Sequence, residues 1–180
     1  MLFRSSLENA AVVVAASGGS TNAALHLPAI ANEAGINFTL EDVTKISKKT
    51  PYIADLKPGG KYVAKDLYEI GGVPVLIKAL LDGGFLHEDC MTVSGKTIGE
   101  NHKDIVFPSD QKVIYKTSKP ISSSGGFVGL KGNLAPDGAI IKVAGLKKKK
   151  FIGKAKCFDE EQSALNAVLE IGRASCRERV

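Results

Sequence analysis

Short apolar segments that end at paired glycines are the feature that most limits the folds open to this chain. The pairs are Gly18-Gly19, Gly71-Gly72 and Gly83-Gly84, and each follows residues with helical apolar spacing. Glycine readily adopts the left-handed conformation that ends a helix. The pattern therefore predicts short helices joined by tight turns, with little strand, over residues 1–117.

Polar residues predict where some of these helices begin. Ser5 and Glu8 have the spacing of a capping box and predict that the first helix starts at Ser5. Thr39 and Asp42 predict, by the same spacing, a helix over residues 40–47.

Two further helices are predicted from apolar spacing and from proline positions. One starts near Ser20 to Asn22, bends at Pro28 and ends at Gly35. The other has Pro74 in its first turn. The residues expected on their apolar sides are Ala24, Leu25, Leu27 and Ile30 in the first, and residues 75, 76, 79 and 80 in the second.

The composition changes after about residue 110. The segment SKPISSSGG, residues 118–126, is rich in Pro, Ser and Gly and predicts a domain boundary near Ser118. The turn sequence Ala135 to Gly138 lies between two strand-like segments. The strand-like segments of this part are residues 127–132, 139–144 and 151–158.

The last eleven residues, EIGRASCRERV, do not continue the pattern before them. Asp159 and Gln162 predict the cap of a last helix, whose apolar spacing ends at Leu169. Back-translated, residues 170–180 spell a DNA adapter used in short-read sequencing, and a chance match of this length is improbable. We therefore interpret them, including Cys176, as a library artefact, and we expect the natural protein to continue beyond Leu169.

The net charge of +5 raises the question of nucleic-acid binding. Without residues 170–180 the charge is +4, and the run Lys147–Lys150 accounts for that remainder. Phe151 is the one aromatic residue beside the run, so a solvated hairpin tip is favoured over a nucleic-acid site. No apolar run has the length of a membrane span and no signal segment is recognised. We expect neither a membrane nor a nucleic-acid partner.

Few residues suggest chemistry. Cys90 and Cys157 lack CxxC spacing, so they indicate neither a disulfide framework nor a zinc site and favour a reducing compartment. SGKT, residues 94–97, resembles the end of a P-loop, but Cys90 stands where that loop requires glycine. His87, Asp89 and Cys90 are interpreted as a turn with a half-buried cysteine rather than as a metal site or a nucleophile with its base.

The motif GGSTN, residues 18–22, is more suggestive. Glycines let a backbone approach a ligand, and amides at a helix start attract phosphate or carboxylate. The same residues also suit a structural role, in which Gly-Gly ends one helix and Ser20 or Thr21 caps the next. From the residues by themselves the structural role is favoured.

The order of segments resembles a known family. The runs GGSTN, ADLKP, GGVP, DCMTVSGKT and KGNLAP are similar to the middle of the dihydroxy-acid dehydratase family, which includes phosphogluconate and sugar-acid dehydratases. The resemblance covers Leu7 to Leu169. ADLKPGGKY and DCMTVSGKT favour the branched-chain biosynthetic members, with sugar-acid dehydratases as the alternative.

The resemblance implies an α/β fold. Residues 1–117 would be the helix-rich C-terminal part of an α/β N-terminal domain, and residues 118–169 the start of a β-barrel-like C-terminal domain. It implies a hydro-lyase that converts 2,3-dihydroxy carboxylates, of the 2,3-dihydroxyisovalerate type, into 2-keto acids in valine and isoleucine biosynthesis. It further implies a [2Fe-2S] cluster, Mg²⁺ and a homodimer, located in the cytoplasm, or in an organelle if the source is a eukaryote.

Carried over residue by residue, the resemblance assigns no catalytic residue and no metal ligand to this chain. The family's cluster cysteines and most of its magnesium ligands correspond to positions before Met1. Its catalytic serine and its last magnesium-binding carboxylate correspond to positions after Leu169. Ser20, Thr21 and Asn22 remain as substrate-binding candidates. The chain by itself is therefore expected to lack activity, cluster and magnesium.

Two alternatives come from other classes. One is a non-catalytic small-molecule or phosphate-binding module that uses GGSTN and SGKT, and the other is a nucleic-acid-binding protein that uses the lysine run. If the chain is instead part of a larger enzyme, its apolar helix faces at Val12–Val14 and Leu76–Leu81 are expected to be exposed and to promote aggregation.

Overall fold

A computed structural model describes residues 2–146, 150 and 152–174. The chain divides into two compact units, Met1–Lys147 and Lys148–Val180. The first unit contains helices α1 (Leu2–Ser17), α2 (Ala23–Glu33), α3 (Leu40–Lys49), α4 (Ala64–Glu69), α5 (Val73–Asp82) and α6 (Ile98–His102), and strands β1 (Phe127–Leu130) and β2 (Ala139–Lys142). The second contains α7 (Glu161–Ala174).

The predicted capping box at the start of α3 is confirmed. The Asp42 backbone N–H donates to Thr39 Oγ1 at 3.4 Å, and the Thr39 N–H donates to Asp42 Oδ2 at 2.8 Å. The helix ends at Lys49, two residues later than predicted. Pro74 lies in the first turn of α5, as predicted, and the four apolar positions expected on its buried side, residues 75, 76, 79 and 80, are buried.

The predicted start of α1 is wrong. The helix begins at Leu2, so Ser5 lies inside it. Arg4 anchors the earlier start, because its guanidinium contacts Asp42 Oδ1 at 3.0 Å and Glu8 Oε1 at 3.1 Å. Glu8 is thereby engaged in an ion pair with Arg4, and its Oε2 also lies within hydrogen-bond distance of His87 Nε2, at 2.8 Å.

Helix α2 starts and ends close to the predicted residues. The Ile36 N–H donates to Ala31 O and the Gly35 N–H to Asn32 O, the pattern of a Schellman motif, with Gly35 at φ +66°. Its predicted apolar side is partly wrong, since Leu25 is 67% and Ile30 51% exposed. Ala24 is buried as predicted and Leu27 packs half-buried against the same cluster, whereas Ala31, which was not predicted, is buried with them. Leu7, Ala11 and Ala15 of α1 belong to this cluster.

The expected exposure of the apolar faces of α1 and α5 is also wrong. Val12 of α1 and Leu76, Ile77 and Leu80 of α5 are buried in one cluster with Ile53. Val13 and Val14 are half-buried. These two faces therefore have their packing partners within the first unit.

Strands β1 and β2 form an antiparallel hairpin, in the first two predicted strand segments. The Gly138 N–H donates to Ala135 O at 3.1 Å in the predicted turn. Phe127 is 2% exposed, and its carbonyl accepts from the buried Ser47 hydroxyl of α3 at 2.6 Å. The hairpin is therefore fixed to the helices through one buried side chain and one buried backbone contact.

The third predicted strand is wrong over the residues that can be compared. Residues 152–158 form no strand, and the second unit offers them no strand as a hydrogen-bonding partner among its described residues. In that unit the Gln162 side-chain amide of α7 donates to Asn166 Oδ1 at 3.0 Å.

Of the lysine run Lys147–Lys150, residues 147–149 lie outside the described residues.

Together these elements give a fold of helices with a small antiparallel sheet, consistent with the α/β expectation. Helix α6 follows SGKT and lies outside the helices predicted from the sequence. The boundary near Ser118 and the interpretation of residues 170–180 stay predictions. None of the described helices combines the length and the apolar character needed to span a bilayer.

Candidate functional site

The motif GGSTN forms the connection between α1 and α2. Gly18 has φ +61° and ends α1, where the Gly19 N–H donates to Val14 O at 2.9 Å. The Ser20 hydroxyl accepts from the Asn22 N–H at 3.2 Å. Asn22 is the N-cap residue of α2 but makes no side-chain cap. The glycines therefore have the predicted helix-ending role, whereas Ser20 stabilises the turn before α2.

Close backbone contacts fix the position of this connection. A Cβ on Gly18 would lie 2.8 Å from Cε2 of Tyr52, and a Cβ on Gly126 would lie 2.5 Å from the Gly18 Cα. The Gly126 N–H also donates to Ala15 O at 2.9 Å. Only glycine leaves room for chain segments to approach so closely. The connection therefore packs against Tyr52 and against the backbone of Gly126.

An open cavity of about 440 Å³ lies at this connection. We call it the glycine-turn cavity. Ser20 and Thr21 line it, whereas Asn22 does not. The complete lining is Ser17, Gly18, Gly19, Ser20, Thr21, Leu56, Lys57, Pro58 and Lys142.

Two lysines make the glycine-turn cavity positively charged. Lys57 lies in the ADLKP segment and Lys142 at the end of β2. Neither ammonium has a carboxylate within 4.0 Å among the described residues. With two hydroxyls beside them, these cations suit a small carboxylate or phosphate. Sequence reasoning missed both lysines, because 84 intervening positions separate them along the chain.

Tyr52 borders the same connection and carries an unusual polar group. Its side chain is buried against Gly18, and among the described residues its hydroxyl is buried without a hydrogen-bond partner. Burial, and to a lesser extent the nearby charge of Asp55, raise the pKa of Tyr52. A buried hydroxyl without a partner is uncommon and marks a place where water or a ligand can complete the hydrogen bonding.

The SGKT segment has a structural role. Thr97 Oγ1 accepts from the Glu100 N–H at 3.1 Å, and Glu100 Oε2 accepts from the Thr97 N–H at 2.7 Å, which caps α6. The latter bond, as the largest influence, lowers the pKa of Glu100. Ser94 is bonded to Thr92 and Asn101. These contacts engage the hydroxyls of Ser94 and Thr97 and the Thr97 N–H within the segment itself.

The segment that carries His87, Asp89 and Cys90 forms a turn. No group of three or more His, Cys, Asp or Glu side chains suited to an ion occurs among the described residues. His87 pairs with Glu8, and Cys90 is 4% exposed, so the cysteine is more deeply buried than expected. The backbone of His87 is bound on both sides by Asn9. The turn interpretation agrees with this geometry.

Two family models match the chain. The dihydroxy-acid/6-phosphogluconate dehydratase N-terminal model matches residues 1–101, and the corresponding C-terminal model matches residues 112–178. Since the first match covers more than half of the chain, the chain belongs to the dihydroxy-acid/6-phosphogluconate dehydratase family.

Individual relatives carry a more specific name. The chain is 64% identical over 165 residues to dihydroxy-acid dehydratase 2 of Bradyrhizobium diazoefficiens. It is 62% identical over 167 residues to dihydroxy-acid dehydratase of Parvibaculum lavamentivorans and 67% identical over 165 residues to that of Pelagibacter ubique. Each alignment covers 92% of this chain but 29% of the relative. The chain therefore spans less than a third of the length of these curated relatives.

Proposed function

We propose that this chain is the middle part of a hydro-lyase that dehydrates 2,3-dihydroxy carboxylates to 2-keto acids. The substrate is of the 2,3-dihydroxyisovalerate type, and the pathway is valine and isoleucine biosynthesis. The observation that carries the proposal is identity above 60% to three proteins named dihydroxy-acid dehydratase over nearly the whole chain. The complete protein is proposed to be a cytoplasmic homodimer.

The glycine-turn cavity is proposed to contribute to substrate binding. Its two ammonium groups, Lys57 and Lys142, would attract the substrate carboxylate, and the hydroxyls of Ser20 and Thr21 would bind oxygen atoms of the substrate. Asn22 has a supporting part, because its backbone N–H orients the Ser20 hydroxyl.

The complete enzyme is proposed to use a [2Fe-2S] cluster and Mg²⁺, which supply Lewis-acid assistance to the departure of hydroxide. The described residues do not fit either group, since they contain no suitable set of three ligands. Cys90 is buried, and Cys157 belongs to the second unit. We place the ligands outside this chain and assign no catalytic step to it. The boundary near Ser118 and a β-barrel-like continuation after it are part of the same proposal.

Activity and binding test different parts of this proposal. The purified chain, incubated with 2,3-dihydroxyisovalerate, is expected to form no keto acid. Calorimetric titration with the same compound is expected to show weak binding, about tenfold weaker in the Lys57→Gln/Lys142→Gln variant. Lys48→Gln/Lys103→Gln, which removes the same charge from exposed positions, is the control.

Three results would count against the proposal. Keto-acid formation by the isolated chain would contradict the placement of the catalytic groups. Equal weakening of binding in the control variant would contradict the role of the cavity. Long-read sequencing of the gene that found no additional dehydratase sequence before Met1 and after Leu169 would contradict the dehydratase activity itself.

A further inference from the structure

A second cavity of the first unit, about 450 Å³ in volume, shares no lining residue with the glycine-turn cavity. It is formed by the segment from Phe107 to Lys119, between α6 and β1. We call it the lysine-rich cavity. Its volume lies in the range of small-molecule sites. The groups that define its chemistry are Lys112, Lys116, Lys119, Phe107 and Tyr115.

The charge of the lysine-rich cavity is uncompensated. Lys112, Lys116 and Lys119 are exposed, and none has a carboxylate within 4.0 Å among the described residues. A turn brings two of them together, because the Lys119 N–H donates to Lys116 O at 2.9 Å. The neighbouring acid Asp110 does not line the cavity and accepts from the Ser109 hydroxyl. Three ammonium groups on one short segment favour an anion with several negative charges.

The backbone beneath these lysines is fixed in place. The Gln111 side chain donates from Nε2 to Ile114 O at 2.6 Å and accepts at Oε1 from the Val113 and Ile114 N–H groups, both at 2.8 Å. Ile114 is 2% exposed, and the Tyr115 N–H donates to Ile53 O at 2.8 Å. The cavity floor therefore forms without a ligand, which lowers the ordering cost of binding.

Two aromatic side chains line the cavity together with the lysines. Tyr115 is 37% exposed, and Phe107 is half-buried in the same lining. An accessible aromatic ring offers a face on which a planar base can stack. Lysine by itself would suit any phosphate, whereas lysines together with such rings suit a phosphate attached to a base.

We propose that the lysine-rich cavity binds a nucleoside di- or triphosphate, with the phosphates at Lys112, Lys116 and Lys119 and the base against Tyr115. This site is separate from the proposed substrate site, so either proposal can fail without the other. Because ammonium–phosphate contacts at an accessible site are screened by ions, the affinity is expected to fall as salt rises.

The test uses the purified chain, with ADP, pyrophosphate and adenosine as probes in calorimetric titrations at low salt. ADP is expected to bind more tightly than pyrophosphate, and adenosine only weakly. The Lys112→Gln/Lys116→Gln/Lys119→Gln variant is expected to bind ADP at least about tenfold more weakly. The matched control Lys45→Gln/Lys48→Gln/Lys49→Gln removes three lysines of α3 and is expected to bind like the unsubstituted chain.

Tyr115→Ala separates base recognition from charge attraction. It is expected to weaken ADP binding until it equals that of pyrophosphate, and to leave pyrophosphate binding unchanged. The proposal is overturned if both triple variants lose ADP equally, or if pyrophosphate and ADP bind the unsubstituted chain alike. If the triple variant does not fold, the NMR signals of the Tyr115 ring are measured in the unsubstituted chain. ADP is expected to shift these signals and pyrophosphate is not. If ADP does not shift them, the proposal is overturned.

Discussion

Asn9 of α1 and His87, which are 78 positions apart, exchange two hydrogen bonds. The Asn9 side-chain amide donates to His87 O at 3.0 Å, and Asn9 Oδ1 accepts from the His87 N–H at 2.8 Å. Asn9 is 6% exposed. One buried side chain thus satisfies both backbone groups of a residue after α5 and ties that segment to the first helix.

Replacement of this asparagine is expected to destabilise the chain. Asn9→Ala leaves a backbone N–H and a backbone C=O of the His87 segment without their partner, which costs about 2 kcal/mol in the free energy of unfolding. Urea unfolding followed by circular dichroism measures the change. Asn32→Ala, at an exposed position of α2, is the control and should change stability by less than about 0.5 kcal/mol. Equal effects of the two substitutions would contradict the buried bridge.

The steric effect of a side chain at Gly18 can be separated from backbone strain by comparison with Gly35. Gly18 and Gly35 have φ +61° and +66°, but a Cβ on Gly18 would lie 2.8 Å from Tyr52 Cε2, whereas one on Gly35 meets nothing within 4 Å. Gly35→Ala is expected to cost about 1 kcal/mol from the left-handed backbone. Gly18→Ala adds the clash with the buried ring and is expected to cost about 1–3 kcal/mol more. Equal melting temperatures for the two variants would show that the segments do not pack this closely.

Removal of the Tyr52 hydroxyl is expected to leave the unliganded protein as stable as before, or to stabilise it. The hydroxyl is buried without a partner among the described residues, so Tyr52→Phe removes a desolvated polar group and no hydrogen bond. Tyr68→Phe, at an 81% exposed position, serves as the control for thermal unfolding. A loss of about 1 kcal/mol or more in Tyr52→Phe alone would indicate a hydrogen-bond partner for the hydroxyl.

The free energy of unfolding is expected to depend on pH through the ionisation of Asp42. Burial is the largest influence on the pKa of Asp42 and raises it. Hydrogen bonds from the Thr39 backbone, the Arg4 guanidinium and the Thr39 hydroxyl, together with the positive charge of Arg4, lower it by more. The net pKa of Asp42 is therefore below the ordinary value of 3.8. A carboxyl with a lowered folded-state pKa stabilises the fold above its unfolded pKa, and this contribution is lost as the pH falls through the folded pKa.

The corresponding measurement compares urea unfolding of the unsubstituted chain and Asp42→Asn from neutral pH to below 3.8. The unsubstituted chain is expected to be the more stable one at neutral pH, and the difference should shrink as the pH falls through the folded pKa. Asp104→Asn, at an exposed position, should show no such trend. A difference that stays constant with pH would contradict the role of the ionised Asp42 carboxylate.

The candidate site was predictable only in part. GGSTN marked the connection between α1 and α2, because glycine pairs and hydroxyl residues carry their conformational meaning locally. Lys57 and Lys142 carry no such signal, and they reach the same cavity only through the packing of the ADLKP segment and β2. The roles of Ser20, Thr21 and Asn22 in substrate binding stay predictions.

The sequence by itself determined the local features of this protein: the termination of α2 by the left-handed Gly35, the capping box of Thr39 and Asp42, the first turn of α5 at Pro74, and the family. Each depends on a few adjacent residues or on the order of motifs. Tertiary structure decided the start of α1, the exposure of Leu25, and the absence of strand over residues 152–158. The physical reason is that these three features depend on contacts with distant parts of the chain: Arg4 near the start of α1 contacts Asp42, the buried face of a helix is set by the elements packed against it, and a strand needs a second strand as its hydrogen-bonding partner.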